Sequence, residues 1–129
     1  MMVNVHLSHR KETQINSCNK TLDLIKSKNV DGYLVCGDFN MTSESNDAAY
    51  TIMTSNGTKD MERTAIDVGT DLVTGGTFHD YGKRNETIRI DFFFGSDNLR
   101  SNMYTVATDT FDGLYPSDHY GIVNYVSIR

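Results

Sequence analysis

The alternation of apolar and polar residues predicts a chain that begins β-α-β-α and continues mostly as strands. Residues 2–7 resemble a short strand. A helix is predicted over residues 11–28, because apolar side chains recur there at three- and four-residue steps, namely Ile15, Cys18, Leu22 and Ile25. The unbroken apolar run at residues 33–36 is typical of a strand buried on both faces.

Later segments differ in how clearly they can be assigned. We expect a second helix capped by Ser43 or Ser45, with Ala48, Ala49, Ile52 and Met53 on its inner face. Residues 58–76 show no clear pattern and contain three glycines from Gly69 onward. Strands are predicted over residues 88–94, 103–108 and 119–127, with a loop over residues 111–116.

Composition narrows the class of protein. A length of 129 residues favours one domain, and a net charge of -5 without a basic stripe argues against tight non-specific binding to nucleic acid. Cys18 and Cys36 have no disulfide-framework spacing, and neither a signal peptide nor a membrane-length apolar run is present in the chain as given. A cytoplasmic chain with no membrane partner is therefore expected.

Polar residues next to the predicted strand ends are the candidate functional groups. Asp38 and Asn40 follow the buried strand with Gly37 before them, so a carboxylate that can deprotonate water lies near an amide that can donate to a phosphoryl oxygen. The alternative is that Gly, Asp and Asn simply form a turn. This pair alone does not decide between the two interpretations.

A second group of residues lies near the last two predicted strands. Asp118 could ligate Mg²⁺, and His119 beside it could contact a phosphate. Asp91 is the only charge within an Ile and Phe run, so we expect it to be paired, with His119 as its partner, rather than to face solvent. His6 also ends a strand and could touch a phosphate, although a structural role is the commoner one. His79 is a weaker candidate, and His9 is expected in solvent or at a pocket rim.

Four motifs together resemble the endonuclease/exonuclease/phosphatase superfamily, which has the DNase I-like fold. They are Asn4-Val5-His6-Leu7, Gly37-Asp38-Phe39-Asn40, Arg89-Ile90-Asp91-Phe92 and Ser117-Asp118-His119-Tyr120, in the family order. The Gly-Thr-Phe-His stretch at residues 76–79 is also similar. The resemblance covers essentially the whole chain, while Gly121 stands where the family often has Pro.

The resemblance implies a Mg²⁺-dependent, or Mn²⁺-dependent, phosphoester hydrolase. Asp38 would activate water and contact the metal, Asn40 would stabilise the phosphoryl transition state, and His119, oriented by Asp91, would act at the phosphate. Asp118 would contact the metal region, and His6 would bind the phosphate.

The family domain is about twice as long, and its first half carries a metal-binding Glu and an Asn that no residue here matches. We therefore expect residues 1–129 to form a single partial domain that resembles the C-terminal half. Its fold would be α/β, half of a four-layer sandwich, with one mixed sheet and helices on one face. The metal would be held weakly, and the chain would be inactive unless a missing N-terminal half completes it.

Three functions remain open at this point. The first is a phosphohydrolase half-domain acting on a phosphate ester of unknown class, and the second is a non-catalytic binding or assembly module. The third, a nucleotide-binding βαβ domain, is disfavoured because the first strand-to-helix turn has no glycine. Helices can cover only one face of a sheet whose strands are apolar on both, so we also expect self-association or a completing partner chain.

Overall fold

The computed structural model describes residues 1–44, 46–68 and 76–129. Their elements, in chain order, are β1 (Met2–His6), α1 (Lys11–Ser27), β2 (Leu34–Asp38), α2 (Ala48–Met53), β3 (Thr58–Asp60), β4 (Asp67–Val68), β5 (Asp91–Ser96), β6 (Leu99–Ala107) and β7 (Gly121–Ile128). The predicted β-α-β-α opening and the β-rich remainder are confirmed. Of the three glycines noted from Gly69 onward, Gly69 and Gly75 lie outside the described residues.

The described strands form two mixed sheets. One has the order β1-β2-β5-β3 and the other the order β4-β6-β7. In the first sheet β1 is parallel to β2 and the other neighbours are antiparallel. The α/β class is therefore confirmed, but the single sheet expected from the sequence is not what the strands form. Both edges of β5 are occupied by β2 and β3, so β6, which follows β5 closely, has no open edge there and starts a second sheet.

The hydrophobic core lies between the two helices and one face of the first sheet. Phe92 and Phe94 of β5 are fully buried there with Val35 of β2, and Phe39 packs edge-on against Phe94 at a centroid distance of 5.0 Å. Burying each such aromatic side chain contributes roughly 1.5–3 kcal/mol. Because side chains alternate along a strand, the same packing turns Asp91 and Phe93 toward the opposite face.

Helix α1 presents its predicted apolar stripe to this core. Cys18 and Ile25 are buried, and Ile15 and Leu22 pack against the cluster partly buried. Cys18 and Cys36 are both buried and not disulfide-bonded. Within the described ranges, no helix is long and apolar enough to cross a membrane.

Helix α2 begins differently from the expectation. Its N-cap is Asp47, whose carboxylate accepts hydrogen bonds from the backbone N–H groups of Ala49 and Tyr50. Ser43 was therefore the wrong residue for the cap, and Ser45 lies outside the described residues. Asp47 also accepts from the Lys11 ammonium at 2.6 Å, so this cap joins the starts of both helices, which a serine hydroxyl could not do electrostatically. Of the predicted inner face, Ala49 and Met53 are buried, Ile52 is partly buried and Ala48 is exposed.

A buried charge cluster joins the first sheet to the residues before β4. The guanidinium of Arg89 donates two hydrogen bonds to the Asp60 carboxylate, at 2.8 and 2.7 Å, and also contacts Glu62. Tyr50 donates its hydroxyl to the same Asp60 carboxylate at 2.8 Å. The Asp60 side chain is only 2% exposed. Without the Asp60 carboxylate, Arg89 would keep Glu62 as a charged partner, but two of its buried donors would lose their acceptor.

We expect Asp60→Asn to lower the free energy of unfolding by about 3–5 kcal/mol, because Arg89 would lose its bidentate carboxylate inside the fold. Urea denaturation followed by circular dichroism measures this. Asp97→Asn is the matched control, since the Asp97 side chain is 64% exposed in its pair with Lys59, and we expect it to cost less than about 1 kcal/mol. Equal losses in the two variants would contradict this assignment.

Candidate active site

The candidate site is built on one row of the first sheet. His6 of β1 is the register partner of Asp38 of β2, and Asp38 is the register partner of Asp91 of β5. Residues opposite one another on neighbouring strands point to the same face. The row therefore places one imidazole and two carboxylates side by side, with His6 Nε2 3.4 Å from Asp38 Oδ2.

Gly37 makes the close pairing of β1 and β2 possible just before this row. Its φ is +127°, and a Cβ at this position would lie 2.0 Å from the Val5 carbonyl oxygen. Any other residue would push the two strands apart or twist β2. The glycine of the Gly37-Asp38-Phe39-Asn40 motif is thus required by backbone geometry, next to the residue that carries the carboxylate.

His119 reaches the row from the segment before β7. Its Nδ1 lies 2.7 Å from Asp91 Oδ2, and its Nε2 lies 3.9 Å from Asp38 Oδ2. A carboxylate can only accept from the ring, so in the neutral imidazole the proton is on Nδ1 and Nε2 is free to accept. Ligand atoms of Asp38, Asp91 and His119 all lie within 4.8 Å of one another.

Asn40 is held in the turn after β2 by its own polar atoms. Its φ is +51°, its backbone N–H donates to Asp38 Oδ1 at 2.8 Å, and its side-chain amide donates to the Leu7 carbonyl at 2.8 Å. The second amide hydrogen is left for a ligand. The turn-forming and functional interpretations of Asn40 are therefore compatible, since one amide can do both.

Asp118 lies beside the cluster rather than in it. Its carbonyl accepts from the backbone N–H groups of His79 and Asp80, and its carboxylate contacts the Ser117 hydroxyl at 3.4 Å. In the described part of the chain, the group of potential metal ligands contains Asp38, Asp91 and His119 without Asp118. The metal role of Asp118 stays a prediction. His9 is exposed, and the structure does not place it in this group.

Residues 10–119 match the Endonuclease/Exonuclease/phosphatase family. The chain belongs to this family. The match spans the turn after β2, the start of β5 and His119, which are the segments that build the cluster.

Solved structures of similar fold agree with this membership. An endonuclease/exonuclease/phosphatase from Bacteroides vulgatus is 26% identical, with a TM-score of 0.81 over 96% of this chain and 48% of that one. A functionally unknown conserved protein from Enterococcus faecalis is 23% identical, with a TM-score of 0.84 over 99% of this chain and 50% of that one.

A mannosyl-6-phosphatase from Bacteroides thetaiotaomicron is also similar in fold, at 22% identity and a TM-score of 0.82 over 98% of this chain and 51% of that one. This chain thus spans about half the length of the structures it matches. No curated protein matches the sequence.

Electrostatics in this family member favour a positive charge at the cluster. Burial raises the pKa of Asp38, the N–H of Asn40 lowers it, and the neighbouring Asp91 raises it again, with a net upward shift. The carboxylate of Asp91 on the adjacent strand therefore disfavours ionisation of Asp38 unless a cation or a protonated histidine lies between them. Carboxylate oxygens are also the ligands that Mg²⁺ prefers, so the donor set fits a divalent cation held by few protein ligands.

The sequence predicts no role for two buried polar residues that support the site. Gln14 is fully buried on α1 and donates to the Asn40 carbonyl at 2.6 Å, and Thr77 is 1% exposed and donates to Asp91 Oδ2. Gln14 lies one position before the predicted apolar stripe of α1, so its burial is visible from helical periodicity. Thr77 lies in the stretch at residues 76–79 that resembles the family, and this resemblance is the signal that points to it. His79 is buried against the Tyr120 ring, and its Nδ1 accepts from the Gly82 N–H, which is a structural role.

We expect Asp38→Asn to raise the melting temperature of the metal-free protein at neutral pH. The folded state holds the Asp38 proton more tightly than the unfolded chain, so the ionised carboxylate costs stability at neutral pH. That cost disappears as the pH falls through the raised pKa, so wild type and variant should converge in acid. Differential scanning calorimetry with a chelator measures the melting temperatures at neutral and acidic pH, with Asp118→Asn as the control. A variant less stable than wild type at neutral pH would contradict the predicted sign.

Proposed function

We propose that this chain carries the catalytic residues of a metal-dependent phosphoester hydrolase. The observation that supports this most strongly is the convergence of Asp38, Asp91 and His119 within 4.8 Å, from elements far apart in the sequence. Membership of the Endonuclease/Exonuclease/phosphatase family supports the same class of reaction. The proposed substrate class is a phosphate ester.

Each residue of the cluster has a distinct part in the proposed reaction. Asp38 orients the attacking water and takes its proton, a role that its raised pKa favours because the carboxylate is then more basic. Asp91 accepts from Nδ1 of His119 and holds the ring so that Nε2 faces Asp38 and the phosphate. When Nε2 of His119 carries a proton as well as Nδ1, it donates to a phosphoryl oxygen and stabilises the charge that develops there.

Two residues at the margin of the cluster bind the phosphate. His6 is 78% exposed, so its ring is free to turn toward a phosphate oxygen. Asn40 has one amide hydrogen not used on Leu7, and this hydrogen can donate to the transition state.

A divalent cation fits next to these residues. We propose Mg²⁺, or Mn²⁺ in its place, with Asp38 and Asp118 as its protein ligands. When bound, the cation would neutralise charge on the phosphate and polarise the phosphorus–oxygen bond. Asp38 and Asp91 supply the negative charge that makes the position favourable for a cation.

We further propose that full activity needs a second polypeptide surface, either another copy of the chain or a completing half-domain. Strand β7 lies at an edge of its sheet among the described strands and carries apolar side chains that are exposed, namely Val123, Tyr125, Val126 and Ile128. An edge strand of this length with exposed apolar residues favours association.

Two buried unpaired cysteines also support a reducing compartment such as the cytoplasm.

In an assembly that hydrolyses a generic phosphodiester with Mg²⁺, His119→Ala and Asp38→Asn should each lower kcat by roughly 10²–10³-fold. Each change removes a group that acts in the transition state. His9→Ala is the matched control, because His9 is an exposed histidine that the structure does not place in the cluster, and it should keep near-normal turnover. Near-normal turnover in either cluster variant would show that the roles are wrongly assigned, and an assembly without turnover would favour a binding module.

The isolated chain should bind Mg²⁺ weakly, with a dissociation constant above the micromolar range. The two proposed protein ligands, Asp38 and Asp118, supply only two carboxylates, and Mg²⁺ sheds its water reluctantly. Isothermal titration calorimetry on monomeric protein measures this. Tight micromolar binding that survives in Asp38→Asn would contradict the proposed site.

At high micromolar concentration the chain should self-associate. The side chains of Tyr125 and Ile128 are 58% and 79% exposed, and covering apolar surface yields about 25 cal/mol per Å² before the costs of association. Light scattering coupled to size exclusion gives the mass. A double substitution, Tyr125→Ser with Ile128→Ser, should shift the species toward monomer. A wild type that stays monomeric would refute the expectation.

A further inference from the structure

Residues 77–80 contact both of the segments that carry Asp91 and His119. Phe78 is bridged to Ile88, just before β5, and also to His119. The backbone N–H groups of His79 and Asp80 both donate to the Asp118 carbonyl, at 2.9 and 3.1 Å. This short segment therefore ties together the two halves of the Asp91–His119 pair, although none of its residues is assigned a role in the proposed reaction.

Thr77 forms hydrogen bonds through both its backbone and its side chain. Its backbone N–H donates to the Ile88 carbonyl at 2.9 Å, and its carbonyl accepts from the Tyr120 N–H at 2.7 Å. Its hydroxyl oxygen accepts from the N–H groups of Ile90 and Asp91, each at 3.2 Å. One buried residue thus fixes the backbone on both sides of the carboxylate–imidazole pair.

The hydroxyl proton of Thr77 is directed at the carboxylate itself. It donates to Asp91 Oδ2 at 2.5 Å, and the same oxygen accepts a hydrogen bond from Nδ1 of His119 at 2.7 Å. One lone pair of that oxygen is used by the threonine, which leaves a defined direction for the imidazole. The ring of Phe78 packs against the His119 ring at a centroid distance of 5.1 Å, so adjacent residues of one segment hold the imidazole through its partner and through its face.

We propose that Thr77 is a positioning residue that fixes the Asp91 carboxylate, and through it the orientation and Nδ1–H tautomer of His119. This inference rests on the proposed function, in which Nε2 of His119 must face the phosphate. The hydroxyl matters rather than the shape of the side chain, because Val has the same shape but can neither donate to Asp91 nor accept from the two backbone N–H groups. Ser keeps the hydroxyl and loses only a methyl group.

The decisive experiment is ¹⁵N nuclear magnetic resonance of the histidine rings in the 129-residue chain, without metal or substrate, at a pH where the rings are neutral. The His119 signals are assigned by their loss in His119→Gln. Wild type and Thr77→Ser should show a protonated Nδ1. Thr77→Val should show a mixture of the two tautomers, with the ¹⁵N chemical shift of Nδ1 moved toward that of an unprotonated nitrogen.

Thr58→Val is the matched control, since Thr58 is also buried and its hydroxyl pairs with Tyr33 instead of with the cluster. It should leave the His119 signals unchanged. A Thr77→Val spectrum identical to wild type, or a Thr77→Ser spectrum like that of Thr77→Val, would overturn the proposal.

A measurement on the wild type keeps the test decisive if Thr77→Val does not fold. The Thr77 hydroxyl proton should exchange slowly enough with water to be observed, with a nuclear Overhauser effect to the Asp91 N–H. Rapid exchange in the folded protein would overturn the proposal. None of these results depends on turnover, so a failure of the proposed hydrolase activity is distinguished from a failure of the positioning role.

In an active assembly, Thr77→Val should lower kcat about 10–100-fold with little change in KM, as is typical for a residue that orients a functional group. Thr77→Ser should restore most of the rate. A loss confined to KM would contradict the positioning role.

Discussion

The antiparallel pairing of β2 with β5 determines where the candidate site forms. Val35 and Phe94 are register partners on the core face, and both are fully buried. Because the side-chain period of a strand is two, a slip of one residue would turn Phe92 and Phe94 out of the core and Asp91 into it. The cost of that slip holds the register, and the register brings Asp38 opposite Asp91. The hydrophobic core therefore positions the polar cluster on the other face of the same sheet.

At Asp38, the same arrangement lowers the stability of the fold and favours the proposed function. Asp38 and Asp91 are brought together by the core, and their proximity, after burial, raises the pKa of Asp38. His119 lies near both carboxylates, and Thr77 and Phe78 in turn hold His119 and Asp91. The site thus contains two neighbouring carboxylates, supported by polar and aromatic contacts, which is typical of catalytic centres. Arg89, two residues before Asp91, pairs with the buried Asp60 carboxylate, and this pair holds the start of β5 in place.

Local patterns predicted the elements well and their assembly less well. The three- and four-residue spacing of Ile15, Cys18, Leu22 and Ile25 gave α1 within one residue of its observed end. The division into two sheets could not be predicted, because it depends on which edges of β5 are occupied, a property of the whole fold.

Individual polar contacts were also hard to predict. Asp47 was missed as a cap because serines precede it, and its second partner, Lys11, is distant in sequence. Asp91 was identified because a lone charge among aromatic residues needs a partner. Thr77 lies in the stretch at residues 76–79 that resembles the family, but its role was not predicted, because a hydroxyl is common both in solvent and in cores.

Binding of Mn²⁺, followed by paramagnetic broadening of backbone amide signals in the isolated chain, tests most directly whether the end of the β2–β5 ladder is a cation site. The amides of Asp38, Asp91 and His119 should broaden first and together, before those of exposed acidic residues such as Glu44 and Asp112. Broadening that begins at the exposed acidic residues, or that is uniform along the chain, would contradict it.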